Sequence, residues 1–205
     1  VSNSFPYKIK KRVIHNGLRV PIDASRVSKT TDLIRIGMVG SLNRSKGSFN
    51  LLLAAKQLIA EQHTKKLEFY FYGGEPRIKS SVVNKLLKVL KMKEDMYSDA
   101  VKFIEKYDLD RHVALLPVEE DLGKIYKNID LLCFPSLLNA PGRPIFEAGV
   151  YGKPSIVSLK EPEDETFIPG VTGELVEPDN PKDLADCIRL YVLHDEKYLD
   201  QSKSC

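Results

Sequence analysis

The sequence predicts an α/β fold built on a doubly wound, mostly parallel sheet. Strand-like apolar runs alternate with amphipathic helical patterns along the chain, and several of these strands are apolar throughout. Uninterrupted apolar strands are typical of a parallel sheet that helices cover on both faces. The 205 residues, of which 42% are hydrophobic and 29% charged, are enough for one sizeable domain.

The amino-terminal half contributes the first three strands. Residues 33–39 form a β-rich apolar run that ends at Gly40, and apolar residues then recur at helical spacing between positions 51 and 59. A second apolar run ends at Gly73-Gly74. The predicted elements are strand 33–39, helix 48–62, strand 67–72, helices 79–91 and 96–107, and strand 112–116.

The carboxyl-terminal half alternates in the same way. Its predicted elements are helix 120–128, strand 131–134, helix 144–151, strands 155–158 and 173–176, and helix 181–191. In a Rossmann-like parallel sheet, ligands bind beyond the carboxyl ends of the strands. We therefore expect four loops that are distant in sequence to lie together: residues 40–46, 73–74, 117–119 and 135–142.

Residues 134–158 are the most informative segment. A strand ends at Pro135, a loop carries Gly142, and a helix begins at Pro144 with Glu147 one turn in. A glycine loop that leads into a helix points unpaired N–H groups and the positive end of the helix dipole at one place, which suits a phosphate. Glu147 can accept two hydrogen bonds from a vicinal diol such as a ribose. Taken alone, it could equally be a helix-favouring acid near a helix start.

An ordered set of motifs runs through the chain. In order they are Gly40-Ser41-Leu42, Lys46-Gly47, the glycine pair Gly73-Gly74, the segment from Asn139 to Glu147, Gly152-Lys153-Pro154, and residues 170–176. Together they resemble the carboxyl-terminal, nucleotide-sugar-binding half of the family 4 retaining glycosyltransferases, also known as group 1, which have the GT-B architecture. The resemblance covers nearly the whole chain.

The resemblance implies an enzyme that moves a sugar from a nucleoside diphosphate to an acceptor hydroxyl. It implies that Glu147 holds the ribose hydroxyls and that the backbone around Gly142 and Arg143 holds the diphosphate. Lys46 would stabilise the leaving diphosphate as the sugar bond breaks, and Asn139 would contact the donor sugar. The further candidate donor contacts are Gly40, Ser41, Arg44, Gly73, Val118 and Pro141. Neither a metal ion nor another cofactor is expected.

Two positions depart from the family pattern. Asn139 stands where the family has its first glutamate, so that an anionic contact becomes a neutral amide. Ser41 stands where a phosphate-binding arginine usually lies, and Arg44 or Arg143 could compensate. We favour an altered donor, because the other implied site residues remain. The alternatives are a catalytically inactive nucleotide-binding or scaffold module, and a nucleotide-sugar epimerase.

The resemblance also predicts the domain organisation. Residues 1–32 are interpreted as an interdomain linker and residues 33–205 as the donor-binding domain. The amino-terminal domain that binds the acceptor, a sugar or a lipid-linked sugar, is expected to be absent from this chain. We therefore expect the isolated chain to bind nucleotide without turning over.

Charge and cysteine usage exclude several function classes. A net charge of +3 with dispersed lysines and arginines argues against a nucleic-acid partner, and three scattered cysteines form neither a disulfide framework nor a zinc site. With no signal peptide and no apolar run of about 20 residues, the chain is expected to be cytoplasmic. Asp108-Leu109-Asp110 fits an Asp-x-Asp metal motif but precedes a strand, which favours a loop or a helix terminus at the opposite edge of the sheet.

Residues 79–93 carry a basic amphipathic pattern in which one face is apolar and five lysines crowd the rest. Two interpretations are open. The favoured one is a surface helix packed on the sheet with its lysines in water. The other is peripheral contact with the anionic inner face of a membrane.

Overall fold

Six parallel strands form a single sheet in the computed structural model, which describes residues 32–61, 66–74, 96–163 and 165–205. The order across the sheet is β3-β2-β1-β4-β5-β6. The strands are β1 (Leu33–Val39), β2 (Lys66–Tyr72), β3 (Val113–Leu116), β4 (Leu131–Phe134), β5 (Ser155–Val157) and β6 (Gly173–Leu175). Their order reverses direction between β1 and β4, where doubly wound sheets bind their ligands.

The described helices lie between these strands or follow the last of them. They are α1 (Ser48–Ala60), α2 (Met96–Lys106), α3 (Leu122–Lys127), α4 (Arg143–Val150), α5 (Pro181–Leu193) and α6 (Asp195–Ser204), and a 3-10 turn at Arg44–Lys46 precedes α1. Local sequence sets several of their starts. The Asp121 carboxylate accepts from Gly123 N at 2.9 Å and caps α3, and the Asn180 side chain caps α5, which has a proline in its first turn.

The side chains of alternate strand residues pack into two apolar layers, one on each face of the sheet. In β4, Leu131 and Cys133 join the layer beneath α1, α2, α5 and α6, whereas Leu132 and Phe134 join the layer beneath α3 and α4. All four side chains are buried. Burial on both faces explains why the β4 sequence is apolar throughout. The predicted doubly wound architecture is confirmed, and every strand pair is parallel.

The sequence-based elements are confirmed in type wherever the structure describes them, and the predicted helix at 79–91 lies outside the described residues. One α-helix of the described residues was not predicted. α6 is strongly polar and buries only Tyr198 and Gln201, so its sequence lacks a helical apolar stripe. Its position depends instead on Gln201, whose Oε1 accepts from the buried Tyr191 hydroxyl and whose Nε2 donates to Gly170 O at 3.2 Å.

The remaining structural expectations concern single segments. Asp108-Leu109-Asp110 lies in the loop before β3, at the amino edge of the sheet, and Leu109 is buried there. The interpretation of this segment as a structural loop is therefore confirmed. Among the described helices, none is long and apolar enough to cross a membrane.

Candidate functional site

The carboxyl ends of β1, β2 and β3 are joined by backbone hydrogen bonds. Gly40 N donates to Tyr72 O at 2.9 Å, and Gly73 N donates to Leu116 O at 3.0 Å. Gly73 has a φ of 82°, and a Cβ placed on it would lie 3.2 Å from Gly40 O, so the two glycines allow a close approach. The predicted meeting of these loops is confirmed. Val118 is exposed in the loop that follows β3.

The loops that follow β1 and β4 meet across the switch point. Leu137 N donates to Ser45 O at 2.8 Å. A Cβ built on Gly47 would lie 1.9 Å from Pro135 O, which shows how closely the two loops pack. The loop after β1 is therefore held against the loop that leads into α4, as the sequence predicted.

The 3-10 turn places two cations at this edge. Asn43 Oδ1 accepts from Ser45 N at 3.0 Å and caps the turn, and Gly47 continues it into α1 with a φ of 71°. A Cβ added to Gly40 would lie 2.7 Å from Lys46 Nζ, so the ammonium group lies over the end of β1. Arg44 lies in the same turn and is exposed, as is Ser41 just before it.

The start of α4 lies against the end of β4. Gly142 is the N-cap residue and contributes no side-chain hydrogen bond, and Pro144 lies in the first turn. A Cβ added to Gly142 would lie 2.3 Å from Phe134 Cζ, so only glycine allows this contact. Pro141 is exposed just before it. The first N–H groups of α4 are thus left without a side-chain cap, as at a helix start that binds an anion.

Glu147 is buried one turn into α4, with 5% of its surface exposed. Each carboxylate oxygen has one protein partner. The Tyr126 hydroxyl donates to Oε2 at 2.8 Å, and Arg143 Nη2 lies 3.0 Å from Oε1. Arg143, predicted to contact a diphosphate, is therefore paired with the residue predicted to hold a ribose. Its side chain is 69% exposed, so this pair lies at the solvent side of the site.

Asn139 makes a different contact from the one the resemblance implies. Its Oδ1 accepts from Lys160 N at 2.8 Å, which ties the loop before α4 to the loop after β5. The side chain is exposed at the same edge of the sheet as the other predicted residues. The structure thus assigns Asn139 a loop-joining hydrogen bond, and its predicted contact with the donor sugar stays a prediction.

Two further side chains near the site carried no signal in the sequence. Tyr126 is a fully buried residue of α3, and burial followed by the neighbouring Glu147 charge raises the pKa of its hydroxyl, which stays protonated. Ser158 directly follows β5, and its buried Oγ has no hydrogen-bond partner in the structure. Within the described ranges, no group of three or more His, Cys, Asp or Glu side chains is placed to hold a metal ion.

Two of the sequence motifs reach the opposite edge of the sheet. Lys153 lies two residues before β5, where burial lowers the pKa of its ammonium group and nearby Asp130 opposes that effect. Gly170 lies before β6 and accepts the hydrogen bond from Gln201. These positions support the fold rather than line the candidate site.

Comparison with known proteins gives a consistent result. Residues 22–204 match the family described as Glycosyl transferases group 1. Among curated proteins, the chain is similar to a D-inositol 3-phosphate glycosyltransferase from Corynebacterium jeikeium (strain K411), with 28% identity over 162 residues. That match covers 78% of this chain and 36% of the relative.

Solved structures share the fold. HepE from Anabaena in complex with UDP gives a TM-score of 0.67 at 21% identity, covering 84% of this chain and 43% of that chain. TarM from S. aureus, in a complex that contains UDP, gives 0.70 at 19% identity, covering 96% and 36%. The carboxyl-terminal domain of LpcC from Francisella tularensis gives 0.65 at 17% identity, covering 83% and 81%. The chain thus spans less than half the length of HepE and of the curated relative.

Proposed function

Because the chain belongs to the group 1 glycosyl transferases, we propose that it binds the nucleoside-diphosphate sugar whose sugar a complete enzyme transfers to an acceptor hydroxyl. The observation that carries this proposal is the buried Glu147 carboxylate beside the uncapped start of α4. A carboxylate suits a ribose diol, and a helix start suits a diphosphate. The ribose and the diphosphate are neighbours in a nucleotide, and the carboxylate and the helix start are neighbours in this site.

Cations at the same edge support the diphosphate assignment. Lys46 Nζ lies over the end of β1, and two arginines are exposed, Arg44 in the 3-10 turn and Arg143 at the start of α4. When the bond between sugar and phosphate breaks, negative charge accumulates on the diphosphate, and fixed cations with oriented N–H groups stabilise it. We propose that these groups suffice without a metal ion, and that transfer proceeds with retention of the anomeric configuration.

The identity of the nucleotide is open to a direct comparison. Structures of HepE and TarM contain UDP, which makes UDP the first probe for this chain, with GDP and ADP beside it. Residues 33–205 would form the donor domain and residues 1–32 a linker. The relatives are more than twice as long as the part that this chain matches. We propose that the acceptor is bound outside the part matched here.

Calorimetric titration with UDP, GDP and ADP tests the proposal. We expect one-to-one binding to at least one of them by the 205-residue chain, with no sugar transfer from the corresponding nucleotide sugar by this chain alone. Addition of EDTA should leave the affinity unchanged. An absence of binding to all three nucleotides would refute the donor-binding role. Robust transfer by the isolated chain would refute the proposal that the acceptor is bound outside this part of the enzyme.

The hydrogen bond from Lys160 to Asn139 favours one alternative function. Asn139 occupies the position implied to contact the donor sugar, yet its oxygen is committed to a loop contact. A domain that retained nucleotide binding but lost transfer would keep Glu147 and could use Asn139 in this way. The full-length protein distinguishes the cases: a transferase releases free nucleotide with a glycosylated acceptor, an epimerase releases a rearranged sugar nucleotide, and an inactive module releases neither.

Location and acceptor type complete the proposal. We propose a cytoplasmic protein that reaches a sugar or lipid-linked acceptor at the inner face of a membrane. The support is the basic amphipathic pattern of residues 79–93, which lie outside the described residues. Sedimentation with vesicles that contain anionic lipid should recover the chain at low salt but not at high salt. Recovery on neutral vesicles alone would contradict an electrostatic contact.

A further inference from the structure

We propose that Tyr126 is a positioning residue that fixes the Glu147 carboxylate for a ribose diol. This inference rests on the proposed function, because Tyr126 would act on the nucleotide only through Glu147. No sequence motif includes Tyr126, and none of the contacts predicted for the site involves α3.

The Tyr126 ring is held rigidly beneath α4. The side chain is fully buried, and its ring is stacked on Tyr151 with 5.5 Å between centroids and 20° between planes. Tyr151 directly follows the last residue of α4, and the Tyr126 hydroxyl also lies 3.3 Å from Pro144 O in its first turn. One side chain therefore contacts both ends of the helix that carries Glu147.

Of the two partners of Glu147, Tyr126 is the one that can fix its orientation. The ion pair with Arg143 involves a guanidinium on a side chain that is 69% exposed, where water and salt compete with the carboxylate for it. The Tyr126 hydroxyl donates from a fully buried position, where a hydrogen bond to a charged acceptor is much stronger. Its raised pKa keeps the proton in place as a permanent donor.

The Glu147 carboxylate keeps acceptor positions that no protein group among the described residues occupies. A carboxylate can accept about four hydrogen bonds, two on each oxygen. Tyr126 uses one on Oε2 and Arg143 one on Oε1. Each oxygen therefore keeps one position, which matches the two hydroxyls of a ribose. Without the Tyr126 hydroxyl, the carboxylate could rotate about its last torsion, which has only broad preferences.

The test compares two single substitutions that remove one hydroxyl each. Tyr126→Phe keeps the stacked ring and removes the hydrogen bond to Glu147. Tyr191→Phe is the matched control, because Tyr191 is equally buried and its hydroxyl donates to Gln201. Tyr191 lies in the other apolar layer and has no part in the site. Each variant and the wild type are titrated with the tightest-binding of UDP, GDP and ADP, and with its 2′,3′-dideoxy analogue.

Loss of the Tyr126 hydroxyl should lower the affinity for the ribonucleotide but not for its dideoxy analogue. Tyr126→Phe should weaken binding of the ribonucleotide about tenfold, because a carboxylate that the hydroxyl no longer orients must lose its rotational freedom when the nucleotide binds. Binding of the dideoxy analogue should not change, because it lacks the hydroxyls that Glu147 holds. Tyr191→Phe should alter neither affinity. A merely structural role of Tyr126 would weaken both nucleotides alike.

The outcomes separate this inference from the proposed function. If the wild type binds the ribonucleotide more tightly than the analogue, but Tyr126→Phe affects both equally or neither, Tyr126 is not a positioning residue and the proposed function stands. If the wild type binds no nucleotide, or does not distinguish the analogue, the ribose role of Glu147 fails and the inference falls with it.

Discussion

Substitution of Gly47 by alanine is expected to destabilise the fold by about 3–5 kcal/mol. Two effects add. Gly47 has a φ of 71°, which an alanine adopts only with strain, and the added Cβ would lie 1.9 Å from Pro135 O. Since that oxygen belongs to the backbone, the 3-10 turn and the loop after β4 would have to separate. Thermal unfolding should show a melting temperature lower by about 10 °C.

Gly170→Ala separates the two effects. Gly170 has a similar φ of 76°, but an added Cβ would have no heavy atom within 4 Å. Only the conformational strain remains, so the loss should be about 1 kcal/mol. If Gly47→Ala and Gly170→Ala were equally destabilising, the close packing of the 3-10 turn against Pro135 would be contradicted.

Replacement of Glu147 by glutamine is expected to weaken nucleotide binding about 100-fold or more, because two hydrogen bonds to a charged acceptor are lost or weakened. Glutamine is close in size, and its amide oxygen can still accept from Tyr126, so the start of α4 should remain folded. Titration calorimetry measures the affinity, and thermal unfolding confirms that the variant is folded.

Glu174→Gln is the matched control for this substitution. Glu174 also has two partners, since Gln201 Nε2 donates to its Oε1 at 2.7 Å and Lys197 Nζ lies 2.8 Å away. It lies within β6, outside the predicted site. Its substitution should cost stability but no affinity. Equal losses of affinity in the two variants would show that removal of charge, rather than a contact with the nucleotide, weakens binding.

The sheet could be predicted from the sequence because strands that are buried on both faces appear as continuous apolar runs. In β1 and β4 nearly every residue is apolar, and the glycines and prolines that follow mark where each strand ends. Once the strands are parallel, their carboxyl ends must share one edge. The meeting of the loops after β1 and β4 therefore followed from periodicity and from the general behaviour of such sheets.

The partners of the site residues could not be predicted in the same way. Tyr126 and Glu147 are 21 residues apart. The residue pattern of a short helix such as α3 does not predict which of its side chains will contact α4. Asn139 and Lys160 likewise meet only because β4 and β5 are adjacent. α6 was missed for a related reason: its burial depends on a few long-range hydrogen bonds, which leave no periodic pattern.

The most direct test of the central claim is a nucleotide titration followed by amide chemical shifts of the chain in NMR. The proposed site predicts that the largest shifts cluster at the carboxyl edge of the sheet, in residues 40–47, 73–74 and 142–147. Amides at the amino edge, in residues 108–112 and 168–172, should not move. Shifts confined to the amino edge, or no shifts with UDP, GDP or ADP, would contradict a nucleotide site at the start of α4.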